Sequence, residues 1–266
     1  SVQRFLSLQT KPNSQKRLAI YYFKGPGQEA LTAQGLEVVP SLYHFLQRLR
    51  SEGYDLTGLP ADEKTFEEQI MREGPVIQSI SGGQMEHYLQ TGNPAWTSKA
   101  VFDEWIQHDL TPKQLKELTD KYGASPGAYM VRSSKAGTPE LATTRIQYGN
   151  VVILPQPVAG IGSDNFAIVH GAGAPPPYPY IAAYLWARHT FQADALLHFG
   201  THGSLEFTPQ KQVALGASDW GEALVAPLPH FYYYTIGNIG ESMMAKRRSY
   251  ASLISYITPA FDESKT

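Results

Sequence analysis

The chain has 266 residues, with 22 Lys and Arg against 24 Asp and Glu, a formal net charge of −2, 42% hydrophobic residues and no cysteine. Such a chain can bury a sizeable core in one large domain or two modest ones. The balance excludes a disordered tail and argues against nucleic acid, whose phosphates need excess Lys and Arg. The missing cysteines exclude disulfides, thiolate ligands and cysteine nucleophiles.

The N-terminus has no apolar core of signal-peptide type, and no run approaches the roughly 18 apolar residues of a membrane span. The expected location is cytoplasmic. No initiator Met is present, which fits processing or a fragment of a longer protein.

Residues 17 to 23 form an apolar, aromatic run that stops at Lys24-Gly25-Pro26-Gly27 and reads as a buried strand. Leu42, Phe45, Leu46 and Leu49 recur at helical spacing, and Gly53 closes that amphipathic helix. Residues 61–73, 98–108 and 111–122 are polar with helical patterns. Thr111-Pro112 supplies a cap followed by Pro at the first helical position. Residues 123–140 read as a loop, and 146–154 as a strand. A Pro- and Gly-rich loop fills 155–177, a helix covers 180–191 and a strand 193–199. A helix near 220–225, a strand over 231–236 and a helix over 240–256 complete the chain. The fold class expected is α/β: a parallel-type sheet with flanking helices plus a helical insertion. The divisions expected are an opening α/β unit (1–60), a helical insertion (61–140) and an α/β portion (141–266).

The segment His198-Phe-Gly200-Thr201-His202-Gly203-Ser204-Leu-Glu206 follows an apolar strand. Ligands of open α/β sheets bind beyond the carboxyl ends of strands. On a continuous helix His198, His202 and Glu206, four residues apart, would share a face and bind a metal. The two glycines oppose such a helix, and the other reading is a turn with hydrogen-bonded histidines. Gly200 and Gly203 also allow a flat ligand close to the backbone. Tyr232 and Tyr234 share one face of their strand and either line a pocket or pack a core. Asn238, Glu241, Lys246 and Arg247 belong to a helix start and its basic run. That run is either a solvated face or supplies one guanidinium fork for a carboxylate. Asp164, His170 and Asp194 read individually as structural or exposed residues.

Residues 193–207, with Pro209, Lys211, Gln212 and Val213, closely resemble the signature of the CobN/magnesium-chelatase H family. These are the large porphyrin- or corrin-binding subunits of ATP-dependent metal chelatases. The resemblance continues through Leu228-Pro229-His230, Tyr232-Tyr233-Tyr234, residues 245–251 and residues 254–260. It is weaker at 17–23, 53–60 and 148–151. Thr201 and Phe207 match the magnesium version, the loop at 174–180 is more CobN-like, and Gln210 stands where both branches usually have Gly. The metal is therefore left open between cobalt and magnesium.

The resemblance implies a tetrapyrrole held while a divalent ion enters, with Glu206 as proton acceptor or metal-guiding carboxylate and His198 and His202 beside it. It places Gly200, Thr201, Gly203, Ser204, Lys211, Tyr232, Tyr234, Asn238, Glu241, Lys246 and Arg247 around the ligand. Family members are several times longer, so it also implies a fragment working with the rest of its own chain. ATP enters through AAA+ and integrin-like partner subunits, since this chain has no phosphate loop. The alternatives are a haem-uptake-linked homologue that removes iron, a His/Glu metal-dependent hydrolase, and a structural interaction domain.

Overall fold

Leu18–Tyr22 is apolar on both faces, and from Ala19 onward every residue of it is buried. A strand of that kind needs cover on two sides and belongs in the middle of a parallel sheet. The computed structural model places it there. It describes residues 2–24, 32–33, 36–79, 81–162, 167–168, 173–200, 203–211, 213–225, 227–234 and 238–255.

In chain order the elements are α1 (Val2–Thr10), β1 (Leu18–Tyr22), β2 (Thr32–Ala33), β3 (Leu36–Glu37), α2 (Val38–Ser51), α3 (Glu63–Glu73) and α4 (Gly82–Thr91). They continue with β4 (Ala95–Ser98), α5 (Lys99–Asp109), α6 (Pro112–Tyr122), β5 (Val131–Ser133), β6 (Pro139–Thr143), β7 (Ile146–Tyr148) and β8 (Val151–Pro155). The last are α7 (Tyr178–His189), β9 (Ala195–Phe199), α8 (Trp220–Val225), β10 (His230–Tyr233), α9 (Ile239–Arg248) and β11 (Ser252–Ile254).

The main sheet has the order β11-β10-β9-β1-β8-β7. All its pairings are parallel except β7 with β8. One face packs Ala19, Tyr21, Val152, Leu154 and Leu196 against α7, with Phe102 and Trp220 in the same cluster. The other packs Ile20, Tyr22, Ile153, Leu197 and Phe199 against Leu42 and Leu46 of α2 and Phe66 and Ile70 of α3. Helices on both faces of a mostly parallel sheet make the α/β class expected from the sequence. From β1 the chain crosses one face to reach β8. From β8 it crosses the other face through α7 to β9, on the opposite side of β1. The strand order thus reverses around β1, the arrangement that opens a ligand crevice at the carboxyl edge.

Several expectations change. Helix α4 lies in a stretch without a predicted element, and 123–140, read as a loop, holds β5 and the start of β6. These strands pair with β4 in a separate antiparallel sheet, so 61–140 is not purely helical. The strand read over 146–154 is a hairpin turning at Gly149, where φ is +50°. The helix read over 240–256 ends at Arg248. Tyr250 takes φ +53°, Ala251 N–H returns to the Ala245 carbonyl, and Ser252–Ile254 joins β10 as a parallel strand. The described strand at 231–236 closes at Tyr233, and 235–237 lie outside the described residues.

Candidate functional site

The carboxyl ends of β1, β9 and β10 converge on one turn. Phe23 N–H donates to the Phe199 carbonyl at 2.9 Å, which brings the exit of β1 against Gly200. Gly200 has φ +113°, and a Cβ there would stand 2.9 Å from the Phe23 Cβ, so only glycine fits. Thr201 and His202 lie outside the described residues, as do Asp164 and His170.

The chain returns at Gly203 and Ser204, and a short 3₁₀ turn over Leu205–Phe207 carries Glu206 inward. Glu206 is 2% exposed, and its carboxyl folds back over Gly203. A Cβ at position 203 would sit 2.5 Å from both carboxyl oxygens. Gly203 N–H donates to the Tyr232 hydroxyl at 3.1 Å, and Tyr232 also hydrogen-bonds Glu206. The Oε1 oxygen of Glu206 is buried with no hydrogen-bond partner. Burial pushes this carboxyl up to about 7, and the charge of Glu241 adds to the shift. Hydrogen bonds from its own backbone, Tyr232 and Gly203 oppose it. A buried acceptor that titrates near neutrality is suited to taking and releasing protons.

Tyr232 stacks on Tyr234 at 6.3 Å between ring centres, with 12° between planes. Tyr233, on the opposite face, stacks on Phe199 at 4.9 Å. Alternation along β10 thus puts Tyr232 and Tyr234 on one side, as the sequence predicts. Asn238 donates to Glu241 at the start of α9, and both are half-buried.

The basic run departs from the sequence reading. Lys246 and Arg247 are exposed, whereas Arg248 is buried and donates to the Thr208 carbonyl at 2.5 Å. Burial lowers the Arg248 pKa, while the charges of Glu206 and Asp219 favour its cation. Its signal was available: Ser242, Ala245 and Arg248 are the buried positions of α9, three residues apart. The Lys211 side chain is also exposed, and its backbone N–H donates to Asp219 at 3.1 Å. Asp194 sits at the other edge of the sheet, paired with Lys11 at 2.6 Å.

His198 faces the interior, in register with Tyr21 on one side and Tyr232 on the other. The Ser249 carbonyl can only accept, so His230 Nδ1–H donates to it at 2.8 Å. Neutral His230 then offers Nε2 to His198 Nδ1–H at 2.6 Å, and His198 Nε2 accepts from the Tyr184 hydroxyl at 2.8 Å. Tyr184 hydrogen-bonds Tyr180, which meets Ser204 Oγ at 2.9 Å. Burial lowers His230 to about 4 and His198 well below its usual value, so both rings are neutral at pH 7. Both nitrogens of His198 are engaged, which corrects its assignment as a metal ligand: no lone pair remains in this arrangement. His198 anchors the turn to the core through Tyr184, Tyr180 and Ser204. Among the described residues no group of three His, Asp or Glu side chains is placed to hold a metal ion.

The chain is similar to known proteins along its whole length. The family model described as CobN/Magnesium Chelatase matches residues 1–266. The chain belongs to the CobN/magnesium chelatase family. It is 33% identical over 258 residues to the chloroplastic magnesium-chelatase subunit ChlH of Oryza sativa, covering 96% of this chain and 17% of that protein. It is 30% identical over 267 residues to the aerobic cobaltochelatase subunit CobN of Pseudomonas aeruginosa, covering 99% of this chain and 20% of that protein. The solved catalytic subunit of cobaltochelatase from Mycobacterium tuberculosis superposes with a TM-score of 0.77 at 28% identity, covering 95% of this chain and 20% of that one. This CobN/magnesium chelatase chain therefore spans about a fifth of the length of these relatives. No helix among its described residues is long and apolar enough to cross a membrane.

Proposed function

We propose that this chain forms the tetrapyrrole-binding, proton-accepting part of a metal chelatase large subunit, acting while a divalent ion, cobalt or magnesium, enters the macrocycle as substrate. The observation that carries this reading is the buried Glu206 carboxyl, with one unpartnered oxygen, titrating near neutrality at the crevice edge of the sheet.

Insertion of a divalent ion displaces two pyrrole N–H protons. Glu206 as carboxylate takes a proton from nitrogen and leaves the electron pair there for the incoming ion. Release of that proton to water restores the base for the second transfer. Tyr232 orients the carboxyl through its hydroxyl, and Gly203 leaves room for the carboxyl to fold back. Half-buried Tyr234, backed by the buried Tyr232 ring, offers an aromatic surface to a flat ring, and Gly200 with Gly203 keeps backbone bulk away from it. Asn238 and Glu241 complete the proposed surround. ATP would act through AAA+ and integrin-like partner subunits and the remainder of the large subunit.

The test is a visible absorption and fluorescence titration with protoporphyrin IX, haem and a corrinoid acid, on the 266-residue chain and on the complete protein. Saturable binding of one macrocycle, weakened about tenfold by Tyr232→Ala, is expected. Glu206→Gln should keep that binding and abolish turnover in the complete enzyme. Unchanged turnover in Glu206→Gln overturns the role of the carboxylate, and failure of the complete protein to bind any of the three overturns the reading. Preference for haem would favour the iron-handling alternative.

A further inference from the structure

At the amino edge of the sheet, opposite Glu206, lies a cavity of about 780 Å³ lined by Arg4, Lys11, Arg17 and Arg188, with Gln15, Gln192 and Asp194 among its other polar residues. The five residues of β1 separate the two edges by about 16 Å, so this cavity is remote from the proposed macrocycle site.

The basic groups lining this cavity outnumber its carboxylates. Lys11 is paired with Asp194 at 2.6 Å, and the Arg17 backbone N–H donates to the same oxygen at 2.8 Å. Arg188 donates to the Ala223 carbonyl at 2.7 Å and to buried Asp109 at 3.3 Å. His189 is also against Asp109, at 2.5 Å, so that carboxylate is fully engaged. Two guanidinium groups are left over. Arg4, on α1, has no acidic partner among the described residues, and its charge acts on Arg188. Arg17 lies over the Phe191 ring at 4.7 Å, and its Nε is buried with no hydrogen-bond partner. Two unneutralised forks with several N–H donors at one cavity match a doubly charged, tetrahedral oxyanion.

We infer that this cavity is a binding site for a phosphoryl-class dianion, held by Arg17 and Arg4, with Lys11 and Arg188, each already paired with a carboxylate, completing its wall. Arg17, held over Phe191, is the fork that recognises the oxyanion. Arg4 closes over it from α1, a helix with no buried residue of its own. The occupant is either free phosphate or the phosphate end of a small-molecule ester.

The experiment is calorimetric titration of the 266-residue chain with inorganic phosphate at pH 8, at ionic strength held constant with chloride, with adenosine monophosphate and succinate as parallel probes. Saturable phosphate binding is expected, weaker for the planar carboxylates of succinate and reduced about tenfold by Arg17→Gln. Tighter binding of the monophosphate identifies an ester as the occupant, and equal binding identifies free phosphate. If Arg17→Gln fails to fold, Arg4→Gln, on exposed α1, carries the same expectation. Macrocycle titration of either variant should be unchanged, which separates this site from the Glu206 site. Absence of saturable phosphate binding, or equal affinity in the wild type and both variants, overturns the proposal.

Discussion

A buried acid and a buried base in one protein write opposite signs into its pH dependence. Glu206 rises from 4.5 to about 7 on folding. Between those values the unfolded chain binds fewer protons, so this group removes stability as pH rises. The loss is complete above pH 7 and is worth about 3 kcal/mol. His230 falls from 6.5 to about 4, and His198 falls as well. Between 4 and 6.5 the unfolded chain binds more protons, so these rings remove stability as pH falls. Two rings against one carboxyl leave a net loss, so wild-type stability should fall as pH falls below 6.5, by less than the rings alone would give. Glu206→Gln should deepen the acid loss relative to pH 8 and be the more stable protein at pH 8 by about 2–3 kcal/mol. Urea unfolding at pH 5 and pH 8 measures both, and identical pH dependence in the two proteins would count against a buried neutral Glu206. At this scale the sequence named Glu206, His198 and Tyr232 but not their relations. Spacing shows which residues are near in the chain, whereas the Ser249 carbonyl that sets the His198 tautomer comes from another element.

Among elements, the contact between α8 and the end of α9 is a tight backbone approach. A Cβ at Gly221 would stand 2.2 Å from the Arg248 carbonyl oxygen, a backbone atom that cannot turn aside. Gly221→Ala should push α8 off α9 and destabilise by about 1–3 kcal/mol. Gly83→Ala on exposed α4, where nothing lies within 4 Å, should be neutral or stabilising by up to about 1 kcal/mol. Thermal melts of the two variants make the comparison, and equal melting temperatures would refute the packing argument. Legibility varied from element to element. Helix α6 was readable because its start is local chemistry, a Thr111 cap reciprocated by Gln114 with Pro112 between them. The end of α9 was not, because the strand after it exists only by pairing with β10. The strands β5 and β6 were hidden for the same reason, since short antiparallel strands without strong alternation look like loop.

For the whole molecule, the sheet around β1 is the most enclosed region, with strands on both sides and helices on both faces. Native-state hydrogen exchange should find the amides of Ala19–Tyr22 among the slowest, near the global unfolding limit. Those of α1, which buries nothing, should exchange fast. Slow exchange in α1 with fast exchange in β1 would contradict this layering. The amino-acid sequence by itself determined the α/β class, the central apolar strand, the glycine-punctuated turn bearing Glu206 and the family signature. Each of these is written in local composition or short-range periodicity. Only the tertiary structure decided that β1 lies between β8 and β9, that Arg248 rather than Lys246 or Arg247 turns inward, and that His198 is committed to the core. The same holds for the gathering of Arg4 and Arg17 at the far edge of the sheet. These facts depend on which distant segments burial brings together, and on the cost of leaving a buried charge or ring nitrogen without a partner.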